Sequence, residues 1–118
     1  MTKATLYHYP NCSTCRKARK WLEANDVEVQ LIDIVKAPPT ADELSQLWES
    51  SGLPLRKLFN TSGQSYRNGG FKDKLKTMGE AESLAALAAD GKLIKRPILQ
   101  AGSVVLVGFS EDAYASSL

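Results

Sequence analysis

The sequence predicts an α/β fold whose elements run β-α-β, then a series of helices, then β-β-α. Three observations lead there. Residues 4–9 and 27–35 are short, largely apolar runs separated by a stretch of helical periodicity, and a strand, a helix and a second strand in that order form a right-handed parallel unit. Between about residues 40 and 95 the apolar spacing is helical throughout, with no strand signal. Two β-rich runs, 98–100 and 104–107, then flank Ala101-Gly102-Ser103 and read as a hairpin.

Taken in order, residues 4–9 form a strand of the kind buried on both faces, and Pro10-Asn11 turns the chain. A helix follows from about residue 13 to 25, with Cys15, Ala18, Trp21 and Leu22 as its inward stripe. Arg16, Lys17, Arg19 and Lys20 fall mostly on the other side, as a solvated face or as a means of steering an anionic substrate or partner. The second strand places Val29, Leu31 and Asp33 on one face. Pro38-Pro39 forces a linker, and Thr40-x-x-Glu43 is a capping box that opens a helix over 41–51, with Gly52 as its C-terminal cap. Pro54 suits the first position of a short helix carrying Leu55, Leu58 and Phe59. Residues 60–63 and 66–70 read as loops, 71–78 as a short helix and 81–89 as a strong one ended by Asp90-Gly91. Ser110 caps a last helix, and Glu111 and Asp112 suit the positive end of its dipole.

The 118 residues fit one domain, 1–118, with one real core. A net charge of +2 is too weak to argue nucleic-acid binding, and no apolar run has membrane-spanning length. The N-terminus enters a strand directly, without a signal-peptide pattern, so a cytoplasmic location is expected. In a reducing cytosol a cysteine pair is catalytic or sensing rather than structural.

The only cysteines, Cys12 and Cys15, are spaced Cys-x-x-Cys where the first strand turns into the first helix, close to the only histidine, His8. The N–H groups of a first helical turn are unsatisfied and its dipole favours an anion. If Cys12 is the N-cap, its sulfur gains from the amides of Thr14 and Cys15, Arg16 and Lys17 add positive charge, and the thiolate becomes reactive. Cys15 lies on the same face and can close a disulfide. The loop so closed is four residues, worth about 2 kcal/mol by the chain-entropy relation, a poor staple and a plausible switch. Two buried, inert thiols are a second reading. A structural zinc site is a third, disfavoured because zinc takes four ligands and His8 is the only other soft one.

Four blocks carry a family resemblance: Tyr7-His8-x-Pro10-Asn11-Cys12-Ser13-Thr14-Cys15-Arg16-Lys17-Ala18; Leu58-Phe59-Asn60-Thr61-x-Gly63 continued by Tyr66-Arg67; Ile94-Lys95-Arg96-Pro97-Ile98; and Val107-Gly108-Phe109-Ser110-Glu111-Asp112. In this order they resemble the arsenate reductase (ArsC)/Spx family with its YffB-like members, related to the glutaredoxin-type arsenate reductases. The resemblance implies a thioredoxin-like fold with a mixed four-stranded sheet and a helical insertion at about 40–92. It implies that Cys12 is the nucleophile, that His8 helps depress its pKa, and that Arg96 binds an oxyanion together with the helix start at Ser13 and Thr14. Pro97 would be the cis-proline facing the thiol. Two further arginines of such arsenate reductases are replaced by Asn60 and Gly108, and a second cysteine that those enzymes typically lack is present as Cys15.

The function implied is a thiol-dependent oxidoreductase acting on a small oxyanion or a disulfide, with Cys15 or glutathione resolving the intermediate. No bound cofactor, metal, membrane or direct nucleic-acid contact is expected; glutathione, glutaredoxin or thioredoxin would be the reductant. The alternative within the resemblance is an Spx-like redox-sensing transcriptional regulator that binds the C-terminal domain of the RNA polymerase α subunit. Gly52 falls where the family has an interface glycine, although its place as the C-terminal cap of a helix is the favoured explanation.

Overall fold

The computed structural model describes residues 3–118; the first two residues of the expected 1–118 domain lie outside it. The elements are β1 (Lys3–His8), α1 (Ser13–Ala24), β2 (Glu28–Asp33), α2 (Ala41–Ser51), a 3₁₀ turn (Leu55–Leu58), α3 (Gln64–Asn68), α4 (Phe71–Lys74), α5 (Glu80–Ala89), a second 3₁₀ turn (Gly91–Leu93), β3 (Ile98–Ala101), β4 (Val104–Val107) and α6 (Glu111–Ser117). The strands form one mixed sheet in the order β2-β1-β3-β4. β1 runs parallel to β2 and antiparallel to β3, and β3 and β4 make the hairpin. With β-α-β on one side and β-β-α on the other, the architecture is thioredoxin-like.

β1 lies inside the sheet, so both its faces are covered. Ala4 and Leu6 point into a cluster with Ala18 and Leu22 of α1, Leu99 of β3 and Tyr114 of α6. Tyr7 points the other way, into a larger cluster with Leu44 and Leu47 of α2, Leu84 and Leu87 of α5, and Leu58, Phe59, Leu93 and Ile94. Each fully buried leucine contributes about 1.5–3 kcal/mol relative to exposure, which is why the strands read as continuous apolar runs.

The capping box forms as expected: Thr40 Oγ1 accepts from the Glu43 N–H at 3.1 Å and the Thr40 N–H donates to Glu43 Oε1 at 3.2 Å. Gly52 is left-handed, with φ 70°, and ends α2. Ser110 caps α6 by accepting from the Ala113 N–H at 3.4 Å.

Several expectations need correction. β1 stops at His8, and Tyr9 leaves the ladder to turn its N–H toward the site. β2 is shorter than 27–35 and is a sheet edge, which leaves Leu31 41% exposed. Pro54 is the N-cap, not the first helical residue, because its ψ of 143° is extended. The stretch expected as a loop at 66–70 is largely helical: α3 forms because Tyr66 packs against Phe59 and Phe71, with ring centroids at 6.5 and 6.2 Å. The helix expected over 71–78 is α4 alone, continued only by turns. An isolated antiparallel bridge, Phe59 with Ile94, breaks the strand-free reading of 40–95. Asp90 opens another 3₁₀ turn, its Oδ1 accepting from the Lys92 N–H at 3.0 Å.

Gly91 marks where the helical region returns to the sheet. A Cβ there would collide with the backbone carbonyl of Ile34, whereas one at Gly52 would meet nothing within 4 Å. Gly91→Ala is therefore expected to cost about 3 kcal/mol or more, the top of the overpacking range. Gly52→Ala should cost about 1–2 kcal/mol, from left-handed backbone strain alone. Urea midpoints of the two variants measure the difference, and equal losses would contradict the close approach.

Candidate active site

The β1–α1 turn builds the site. Tyr9 O accepts from the Cys12 N–H at 2.9 Å, which places Cys12, with ψ 122°, as N-cap of α1. Arg16 reaches back over the turn, its Nη1 donating to Pro10 O at 3.3 Å. From the far end of the chain, the Arg96–Pro97 peptide is cis, as the resemblance implied, and Pro97 is buried, with its carbonyl accepting from the Gly108 N–H at 2.8 Å.

The two thiols occupy different environments. Both are free; Cys12 is partly exposed and Cys15 is fully buried. Cys12 makes no close capping hydrogen bond with its side chain, so its sulfur is held by several weaker influences. Partial burial pushes its pKa up. The Cys15 amide, the Cys15 thiol, the Arg96 guanidinium and the Thr14 amide outweigh that and leave the thiol below its ordinary range. Cys15 goes the other way: burial, reinforced by the adjacent Cys12 sulfur, pushes it up to about 12, although the Tyr9 N–H at 3.5 Å and Arg96 favour its anion. The arrangement is a partly exposed thiol of lowered pKa beside a buried thiol of raised pKa.

Arg96 stands over the Tyr9 ring, 5.2 Å from its centroid, and spends one donor on Lys92 O at 3.1 Å. It separates two open clefts. One, of about 440 Å³, is lined by Thr14, Leu53, Lys95, Val107 and Gly108 among others. The other, of about 600 Å³, is lined by Tyr9, Gln64, Ser65, Asn68 and Lys92 among others and is more polar. A guanidinium exposed to both and a helix start with free amides suit a small anion or the carboxylates of a peptide thiol.

The structure thus brings together Cys12, Cys15, Thr14 and Arg96. Ser13 is exposed at the first position of α1. His8 points into the sheet–α1 side and is 5% exposed, with Nδ1 unpartnered; its surroundings are Arg19 and Asp33, its register partner on β2. Burial, then Arg19, hold the imidazole below its ordinary range against a smaller pull from Asp33, so it is neutral at pH 7. Asn60 takes part in the backbone, its N–H donating to Leu93 O at 2.8 Å, and Gly108, with φ 82°, leaves open space where a side chain would stand. Gly52 lies at the end of α2, where its left-handed backbone accounts for the glycine. Sequence reasoning missed Tyr9, Tyr114 and Lys92. Tyr9 was taken as a strand residue, and nothing in the periodicity of α6 distinguishes Tyr114 from an ordinary core aromatic. Among the described residues no three of His, Cys, Asp and Glu are grouped to hold a metal ion, and no helix is long and apolar enough to cross a membrane.

Two predictions follow from these environments. Iodoacetamide at neutral pH should label Cys12 rapidly and leave Cys15 untouched until the protein is unfolded, and the Cys12 rate should level off below the pH at which a free cysteine does; peptide mass mapping across pH reads both. His8 has a folded pKa below its unfolded value of about 6.5, so the unfolded chain takes up its proton first and stability falls as pH drops through that value. Because His8 is the only histidine, this loss should set in below about pH 6.5 in urea titrations, with a slope of at most about 1.4 kcal/mol per pH unit, the limit for one proton.

Comparison with known proteins places this geometry. A model of the ArsC family matches residues 7–117. The uncharacterized protein YusI of Bacillus subtilis (strain 168) is 53% identical over 110 residues, 93% of each chain. The global transcriptional regulator Spx of Streptococcus mutans is 27% identical over 92% of this chain and 77% of that protein. Among solved structures, a possible arsenate reductase from Streptococcus mutans UA159 superposes with a TM-score of 0.85 at 45% identity, covering 97% of this chain and 99% of that one. The chain belongs to the ArsC family.

Proposed function

We propose that the protein is a thiol-dependent oxidoreductase in which Cys12 is the nucleophile and Cys15 or glutathione the resolving thiol. The observation that carries this reading is the opposed environment of the two sulfurs, one partly exposed with a depressed pKa and one buried with a raised pKa. The Cys12 thiolate attacks a disulfide sulfur: a new S–S bond forms, the old one breaks, and the leaving sulfur carries the electron pair. Attack of Cys15 or glutathione on the Cys12 sulfur then releases the second substrate thiol. With arsenate, the thiolate would displace water from arsenic. A second thiol would then attack the Cys12 sulfur, leaving the As–S electron pair on arsenic as As(III) and a disulfide on sulfur. Arg96 and the α1 amides would hold the anion in either case. Asn60 and Gly108 supply no guanidinium, which removes contacts worth about 1.5–3 kcal/mol each and favours disulfide over arsenate as substrate.

The similarity to Spx supports a second reading, a redox-sensing regulator docking on the RNA polymerase α C-terminal domain, with Leu53, 38% exposed beside Gly52, available to a partner. A pull-down of the reduced and oxidised protein with that domain tests it, and no binding in either state counts against it.

The deciding experiment is NADPH oxidation coupled through glutathione, glutaredoxin and glutathione reductase, with arsenate and with a small mixed disulfide as alternative substrates. Cys12→Ser should abolish turnover, Cys15→Ser should accumulate a mixed disulfide on Cys12 visible by mass spectrometry, and Arg96→Ala should lower kcat/KM about tenfold or more for an anionic substrate. Full turnover by Cys12→Ser would refute the scheme.

A further inference from the structure

Tyr9 stands at the one position of the first sequence block that the family resemblance leaves unspecified. Its main chain holds the turn that carries both thiols: its carbonyl accepts from the Cys12 N–H at 2.9 Å and its N–H points at Cys15 Sγ at 3.5 Å. Any residue with a backbone N–H supplies those two contacts. The side chain does something else. Its hydroxyl accepts from Asn11 Nδ2 at 3.3 Å, and its ring lies under the Arg96 guanidinium, with the ring centroid 5.2 Å from Cζ. One residue thus touches the thiol turn with its backbone and the anion-binding arginine with its ring.

The ring contact lies within the range in which a cation is attracted to an aromatic face. It uses none of the five N–H donors of the guanidinium, of which one goes to Lys92 O at 3.1 Å. Arg96 borders both clefts, but its two anchors do not: Tyr9 and Lys92 line the polar cleft only. The cation is therefore held on the polar side of the ridge, next to the exposed Lys92 side chain. Asp90, the only carboxylate among the described residues lining that cleft, accepts from the Lys92 N–H at 3.0 Å. A free arginine side chain gives up its rotamer freedom when it binds a ligand, and a side chain already held in place gives up less.

We propose that Tyr9 is a positioning residue that sets the preference of the site for anionic disulfides: its ring and the Lys92 carbonyl hold the Arg96 guanidinium on the rim of the polar cleft, where it meets a carboxylate on the substrate while Cys12 attacks the sulfur. This rests on the nucleophile and anion-binding roles proposed above. It goes beyond them in two respects. It names the residue that keeps the guanidinium in place, and it assigns the charged half of the substrate to the polar cleft. Tyr9 also packs on the larger core cluster. A purely structural role for the ring would disturb the site whatever the charge of the substrate, so charge discrimination separates the two.

The test compares two disulfide reagents, the dianionic dithiobis(nitrobenzoate) and the neutral dithiodipyridine. In each, the Cys12 thiolate attacks one sulfur, the reagent S–S bond breaks, and the other half leaves as a thiolate or thione that is read by stopped-flow absorbance. Rates are taken on the pH plateau of each variant, so that a change in Cys12 ionisation does not enter. The quantity read is the ratio of the anionic to the neutral rate constant. Arg96→Ala should lower it about tenfold or more. Tyr9→Leu, and Tyr9→Met as a second ringless variant, should lower it about two- to fivefold, the range of a cation–π contact near the surface. Tyr9→Phe, which keeps the ring, should restore the wild-type ratio. Tyr9→Leu combined with Arg96→Ala should match Arg96→Ala alone, because the ring acts through the guanidinium. An unchanged ratio in the ringless variants would overturn the proposal, as would equal losses with both reagents, a loss in Tyr9→Phe, or additive losses in the double variant. A ratio that Arg96→Ala leaves unaltered would instead refute the anion-binding role of Arg96, and the role of Tyr9 with it.

Discussion

The interaction on which the site depends is that between a cysteine sulfur and the start of a helix. α1 begins at the edge of a strand buried on both faces, so its first-turn amides are fixed by the sheet and not by their own fraying equilibrium. Cys12 sits on that start and Cys15 one turn further in, and a displacement of three residues separates a partly exposed thiol of lowered pKa from a buried one of raised pKa. Everything else at the site modifies this difference. Arg96 stabilises the outer charge, and the Tyr9 amide orients the inner sulfur.

The sheet order explains why such distant residues meet. β1 lies between β2 and β3, so the end of β1 that carries the thiol turn is next to the start of β3, which the Arg96–Pro97 segment enters. The helical region between β2 and β3 packs on the opposite face from α1 and α6. The Cys12 side of the site is therefore built on one layer and its guanidinium is delivered by the other.

Much of this was legible in the sequence, and the failures have physical causes. Helices with strong local signals were read to the residue: α2 has a capping box at one end and a left-handed glycine at the other. Strand ends were read less well, because strand pairing is a long-range event; Tyr9 looked like a continuation of β1 until its N–H proved to be directed at Cys15. The 66–70 stretch, expected as a loop, is helical because of tertiary aromatic packing around Phe59, which no local spacing announces. At the site, the cysteine pair announced itself through spacing and position, and Arg96 through family resemblance. The burial of Tyr114 between Trp21 and Phe109 could not be found that way, because it is visible only in three dimensions.

The contact at Gly91 bears on how such a protein can change. Ile34 donates its N–H to His8 O at 3.0 Å and presents its carbonyl to the backbone of Gly91, a few residues before Arg96. The end of the strand that leads to the thiol and the start of the segment that brings the guanidinium are thus stacked, main chain on main chain, through one residue. Side chains along the clefts take no part in that stack. They can be exchanged, and the recognition surface redrawn for a different partner, while the separation of sulfur and guanidinium stays the same. A fold held in this way can supply both reductases and regulators from one reactive centre, since what distinguishes them lies outside the part of the backbone that keeps the chemistry in place.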